Sequence, residues 1–315
     1  VGIALFGDQL SLAVLVCVGL AEVVFAAPTL LLALRLQGSG YPGTAQALYI
    51  VPPVLRLLPL LLAALGRQAL AVSVFALCYL LAAMLTTLLA WHLCRRQQLL
   101  PRRWHWWAGR AHIRAGLPYL STRLCAFGAT EVDKILAPLV LSSALAGSYA
   151  LASRAAGFAM VPVHAVLAAA QPELAAQART DRWMFVRSSR AGLLMTLVYG
   201  VLAAVAIATM AAPVMDWLTN GSYPALPVAF HALALALVPM SLRHAVGGIL
   251  LPLGRPLLRV AGEILGMAVL CFLMPWFGHL GLYGVGLALF ASEMIALSVL
   301  SGGMLWHWRR WSVDG

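Results

Sequence analysis

"FGATEVDKILAPL" (residues 127–139) sets Glu131, Asp133 and Lys134 close together inside a long apolar run. Charges in such surroundings are costly unless they meet one another, a partner helix or water, so this stretch is read through what flanks it. The flanks are lipid-like. The 315-residue chain is 63% hydrophobic and 10% charged, against about 25% charged residues in an ordinary soluble domain. Its apolar runs reach the roughly 20 residues that an α-helix needs to cross a hydrocarbon core. Composition therefore predicts an all-α integral membrane protein and excludes a water-soluble one.

Interrupting the apolar runs at charge, Gly and Pro clusters predicts about nine transmembrane helices, over residues 10–34, 48–65, 69–93, 116–139, 144–169, 191–212, 228–251, 257–276 and 281–305. The connecting segments then sort by charge, as cytoplasmic loops collect Lys and Arg. One set of alternate loops holds fifteen arginines, from Arg35 through Arg95, Arg179 and Arg255 to Arg310, against Glu173, Asp181 and Asp314. The other set holds Arg67 against Asp8 and Asp216. This predicts a multi-pass protein of the bacterial inner (cytoplasmic) membrane with residues 94–115, 170–190 and 306–315 in the cytoplasm and 213–227 outside. The net charge of +11 is then an orientation signal. Spread over five loops without a recognition motif, it does not predict nucleic-acid binding; contact with anionic membrane lipids is its secondary expectation.

The longest cytoplasmic segment, "CRRQQLLPRRWHWWAGRAHIRAG" (94–116), alternates arginines with Trp104, Trp106 and Trp107. That chemistry suits a short amphipathic helix lying among lipid headgroups as a linker between two bundles. "WHWRRW" (306–311) reads as an interfacial anchor after the last span. Nine spans with a cytoplasmic C-terminus put the N-terminus outside, and the chain starts at Val1 without Met, so a fragment lacking upstream spans is expected. The five cysteines and eight histidines show no metal or disulfide spacing, and no catalytic constellation is present. The sequence therefore predicts neither an enzyme nor a cofactor, and leaves a proton or Na⁺ gradient as the energy source.

Ten charges fall within the expected spans: Glu22, Arg56, Arg123, Glu131, Asp133, Lys134, Arg154, Arg243, Glu263 and Glu293. Arg259 and Glu263, four apart, read as a local helix pair. At 100° per residue Arg123, Thr130 and Lys134 fall within about 20° of one line, a polar stripe roughly 16 Å long. Lys134, the only lysine, either lines a cavity with that stripe or pairs with an acid to fix packing. Arg154 lies mid-span in the next helix, and Arg56 lies between Pro53 and Pro59, where kinks are tolerated. Glu22, Asp133 and Glu293 are candidate proton or Na⁺ sites, with pairing to an arginine as the alternative for Glu22 and Glu293. The candidate substrate-binding residues are thus Arg56, Arg123, Thr130, Lys134, Arg154 and Arg243, and the candidate ion-coupling residues Glu22, Asp133 and Glu293.

Residues 114–177, with Gly116-Leu117-Pro118, Asp133-Lys134, the series Gly147, Tyr149, Ala152, Arg154, and Pro172 in that order, resemble the oligosaccharide flippases of the multidrug/oligosaccharidyl-lipid/polysaccharide exporter superfamily. Residues 212–256 and 277–293 resemble later helices of the same family. The resemblance covers residues 110–305 and implies two six-helix lobes. Residues 1–93 would be the last three helices of the N-terminal lobe, 94–115 the linker, 116–305 the six-helix C-terminal lobe, and 306–315 a cytoplasmic tail. It also implies a flippase for polyprenyl-diphosphate-linked oligosaccharide working by ion-coupled alternating access, with a polysaccharide polymerase and other assembly proteins as partners. Arginine and lysine supply the phosphate contacts such a cargo needs. The alternatives are a multidrug or cation antiporter of the same superfamily, which should present net acidic cavity residues, and a membrane-embedded glycosyl- or acyltransferase using His164, His231 or His244. The latter needs a paired acid or a nucleotide-sugar site that the sequence does not offer.

Overall fold

The computed structural model describes residues 12–65, 71–100, 110–219 and 223–313. Over these residues all nine expected spans lie in helices, and there is no strand among them. We number the helices α1 (Leu12–Gly38), α2 (Pro42–Leu65), α3 (Val72–Arg96), α4 (Arg110–Val140), α5 (Ser143–Thr180), α6 (Arg182–Ala211, continuing through Ala212–Thr219), α7 (Leu226–Leu250), α8 (Pro256–Phe277) and α9 (Gly281–Val313). Six helical stretches among the described residues are long and apolar enough to cross a membrane: α1, α3, α5, α6, α7 and the run Pro256–Trp308, which holds both α8 and α9. The expected spans at 48–65 and 116–139 lie in α2 and α4. Helices are the only open-ended elements that satisfy every backbone group inside lipid, which is why so apolar a chain forms them.

Several boundaries differ from expectation, among them the end of α9, which runs past 305 to Val313. The segment 170–190, expected as a cytoplasmic loop, is helical except at Asp181. Helix α5 runs past Pro172 to Thr180, and Asp181 starts α6 by accepting a hydrogen bond from the Met184 N–H at 3.0 Å, an N-cap that lets one residue serve as the whole turn. Helix α4 begins at Arg110, inside the expected linker, whose residues 101–109 lie outside the described residues.

The chain divides into two compact units, Val1–Trp106 and Trp107–Gly315. In the first, α1, α2 and α3 pack over Leu32, Leu36, Ala45, Leu48, Ala90 and Cys94, and the Cys94 thiol donates to the Leu32 carbonyl at 3.6 Å. Helix α1 widens into a π turn over Ala21–Ala26. The Phe25 carbonyl within it accepts from the hydroxyls of Thr29 and Thr87, each at 2.9 Å. Hydroxyl donors of this kind satisfy carbonyls that a π turn displaces from the helical ladder.

The second unit is built around α7. Of its apolar window 78% is buried, against 17–33% in the other candidate spans, so it is the central helix of this unit. Leu226, Phe230, Leu233 and Leu237 pack with Tyr149 and Met160 of α5, Leu270 and Met274 of α8, and Val285 and Leu289 of α9. Small residues let the backbones close. A Cβ at Gly286 of α9 would come within 2.6 Å of the Ala232 carbonyl oxygen of α7, and one at Gly266 of α8 within 3.0 Å of the Ala296 Cβ of α9. Close approach at Gly and Ala is how helices associate where lipid removes the hydrophobic driving force. Helix α8 reverses into α9 through Gly278–Leu280 and Gly281, whose φ of 65° suits glycine.

Candidate functional site

Apart from Arg123, the charges inside the expected spans divide into three clusters and one outlier. In the first unit, Arg56 of α2 reaches Glu22 of α1 at 3.1 Å, and the Tyr79 hydroxyl of α3 donates to the same carboxylate oxygen. The Arg56 guanidinium also lies over the Tyr79 ring, 3.7 Å from its centre, a cation–π contact that holds the arginine in place. Glu22 rides on the π turn, and Arg56 sits within the stretch punctuated by Pro52, Pro53 and Pro59, which remains helical. Beside them opens a cavity of 240 Å³ lined by Thr29, Tyr49, Thr86, Leu48 and Ala83. The pair is accessible, with 48% of the Glu22 side chain and 23% of that of Arg56 exposed.

The second cluster occupies the stretch quoted at the outset. Lys134 donates to the Thr130 carbonyl at 2.7 Å and to the Glu131 carboxylate at 2.8 Å. Both contacts run along α4 itself. The Thr130 hydroxyl likewise turns back on its own helix, to the carbonyls of Ala126 and Phe127. Asp133 points the other way, into the core, where it is 6% exposed and accepts from the Tyr149 hydroxyl of α5 at 2.6 Å. Its second oxygen is buried without a hydrogen-bond donor. Thr130 and Lys134 of the expected stripe share a half-exposed face with Glu131, and Asp133 belongs to the interior. Arg123 lies on α4 as well, its side chain outside the described residues.

The third cluster ties the centre of the second unit. Arg243 of α7 is 1% exposed and donates through Nε and Nη2 to Glu293 of α9 and through Nη1 to Glu263 of α8. Arg259 approaches Glu263 at 3.7 Å, the local pair that the spacing predicted. Two guanidinium groups thereby meet two carboxylates. A void of 10 Å³, about the room of one water molecule, adjoins Arg243, Glu263, Ser292 and Glu293. Arg243, expected to contact substrate, is saturated by carboxylates in this state, and Glu293, expected to bind a coupling ion, already holds a resident cation.

Arg154 is the outlier. It is exposed in the first half of α5, and among the described residues no hydrogen bond or ion pair engages it or joins it to Lys134. Sequence spacing missed both tyrosines that hold a carboxylate, Tyr79 and Tyr149, because each meets an acid of another helix. The rings of His164 and His244 meet edge to face at 4.6 Å, with the buried His244 Nε2 lacking a partner. No group of three or more His, Cys, Asp or Glu side chains that could hold a metal ion occurs among the described residues.

No family model matches the sequence, and no curated protein does. Among solved structures, the chain is similar to a multidrug resistance MATE family transporter of the MOP superfamily in its outward-facing conformation, with 20% identity and a TM-score of 0.68 over 88% of this chain and 64% of that one. It is similar also to a MATE in complex with MaL6 (19% identity, TM-score 0.69, 88% and 65% covered) and to the Vibrio cholerae MATE transporter VcmN in the bent form (17%, 0.64, 88% and 65%). The fold is that of these transporters over the part that the chain covers. The chain spans about two-thirds of their length, slightly less in each case.

Proposed function

We propose that this chain is the larger part of a MOP-superfamily exporter that carries an amphipathic cargo across the membrane by ion-coupled alternating access. The overlay of 88% of the chain on an outward-facing multidrug transporter is the observation that carries this reading. It favours a multidrug antiporter over the flippase that the motif order suggested. In this reading residues 1–93 contribute to one lobe, 94–115 link the lobes, 116–305 form the other lobe and 306–315 trail into the cytoplasm.

A second cargo is favoured by one specific residue. An exposed, unpaired arginine in mid-helix is too costly to face lipid, by about 2.5–3.5 kcal/mol on insertion scales, so Arg154 must face a polar path or a partner group. A cationic path suits a lipid-linked diphosphate oligosaccharide, which keeps the flippase as the rival cargo.

Both cargoes are tested with the chain expressed in two bacterial hosts, one stripped of its drug exporters and one lacking its oligosaccharide flippase. Efflux of ethidium that collapses with the proton or Na⁺ gradient supports the antiporter. Restored surface glycan, lost again in Arg154→Ala, supports the flippase. Normal membrane levels with neither activity would sink both cargo readings for this chain.

A further inference from the structure

Two helices of the second unit carry the same short pattern, Met160-x-x-x-His164 on α5 and Met240-x-x-x-His244 on α7. Residues four apart share a helix face, so each methionine stands one turn nearer the N-terminus than its histidine. The two helices run in the same direction here. The His164 and His244 rings meet at 4.6 Å, and one turn further on a Cβ at Gly248 would lie 3.7 Å from Leu167 Cδ2. Contacts that advance together along both chains belong to parallel helices. The same register carried back one turn sets Met160 opposite Met240. Both methionines belong to the packed interior of this unit, Met160 being 1% exposed and Met240 partly buried.

Side-chain direction brings the four groups toward one another. Helical side chains lean toward the helix N-terminus, so both imidazoles tilt toward the methionine turn. Methionine has three rotatable bonds with which to bring its sulfur to meet them. An independent observation points to a ligand. His244 is 7% exposed, and its Nε2 is buried without a hydrogen-bond partner. A buried polar nitrogen left unmatched costs free energy, and the lone pair of an imidazole nitrogen is what a metal ion takes. His164 is exposed, which gives an ion a way in beside the buried ring. Arg243, about 100° round α7 from His244, spends its charge on Glu263 and Glu293, and Arg259 lies beside Glu263. Two cations against two anions leave a background that opposes a single positive charge less than a double one.

We propose that Met160, His164, Met240 and His244 form a binding site for a soft monovalent metal ion, Cu(I). Imidazole alone suits several transition metals, and the thioethers select Cu(I) among them. Sodium, a hard cation that prefers oxygen, has no ligand in this set. The site is separate from the acidic residues considered for ion coupling, and it does not rest on which cargo is carried.

The test uses the purified full chain with its five cysteines replaced by alanine, since thiolates would otherwise hold Cu(I) themselves. Cu(I) is offered without oxygen from its coloured bicinchoninate complex, and loss of colour reads the transfer; melting temperature controls for folding. One Cu(I) per chain should be taken up, with sulfur as well as nitrogen neighbours in its X-ray absorption. Met160→Leu and Met240→Leu keep the packing volume, and each should weaken binding by at least about tenfold, the smallest loss common for even an outer partner of a metal ligand. His244→Phe, which keeps a ring in the interface, should abolish uptake. The same loss of one Cu(I) per chain should appear when His244→Phe is made in the chain that retains its cysteines, so the result does not hang on the cysteine-free background. Uptake by His244→Phe equal to that of its parent overturns the site. A Met160→Leu, Met240→Leu double variant that binds Cu(I) like the parent, or displacement of Cu(I) by an equal concentration of Zn(II), overturns the soft-ion assignment.

Discussion

Replacing Arg243 with methionine removes one side chain and strands what it held. Glu293 loses its only ion-pair partner among the described residues while remaining buried; Glu263 keeps Arg259 at 3.7 Å. Breaking a buried pair from one side costs about 3–5 kcal/mol, because the remaining charge is left without water or a counter-ion. For a unit of this size that corresponds to a melting temperature lower by on the order of 10 °C. The same reasoning makes the loss repairable. Arg243→Met combined with Glu293→Gln removes the stranded charge and should recover most of it, since a well-packed neutral replacement of a buried pair is near neutral. The assay is fluorescence-detected size-exclusion after heating, on the parent, both single variants and the double. If Arg243→Met melts within about 2 °C of the parent, a measurement finer than the shift expected here, the triad is not the structural tie described. A transport defect at normal stability would return Arg243 to the cargo path.

Other expectations follow from the same packing. Tyr149→Phe leaves Asp133 without its one side-chain hydrogen-bond donor among the described residues and should lower stability by about 1–3 kcal/mol; Asp133→Asn on that background should restore part of it, and equal melting of Tyr149→Phe and parent would refute the contact. Gly286→Val drives a branched side chain onto the Ala232 backbone, where nothing flexible can give way, so folded yield should collapse; a normal yield would show that α7 and α9 do not approach so closely. Lys134→Ala should cost little, since Lys134 and Glu131 are partly exposed and paired along one helix; a stability loss above about 2 kcal/mol would place Lys134 in a buried network instead. Single cysteines at Thr180 and Ser222 in a cysteine-free background should label from opposite faces of the membrane, and labelling from one face refutes the predicted topology.

Helix positions were legible because lipid leaves the chain little choice: a run apolar enough to span must satisfy its own backbone, and a helix does so. What spacing could not show is which residues meet across helices. The Arg259–Glu263 pair was readable, being four apart on one helix, but Glu263 proved to be shared with Arg243, twenty residues away. The polar stripe of α4 was read from angle alone. Angle cannot show that the Tyr149 hydroxyl of the next helix holds Asp133 in the core. The π turn of α1 left no mark in the apolar pattern, because a one-residue widening preserves composition. The loop expected at 170–190 was misread because Pro172 and a run of charges look like an ending, while helices extend readily through the headgroup layer once the N-cap at Asp181 lets the next helix start at once.

The Arg243 triad also sets an order of events during synthesis. Arg243 is made 20 residues before Glu263 and 50 before Glu293, so α7 emerges with a cation that has no counter-charge yet. Until its partners arrive it bears an insertion cost of about 2.5–3.5 kcal/mol at a bilayer centre. The most buried helix of the unit is therefore the one least able to enter lipid alone, and it is expected to wait at the insertion machinery until α8 and α9 have been made. Biogenesis of this half of the molecule then proceeds as a three-helix event, released by its last member.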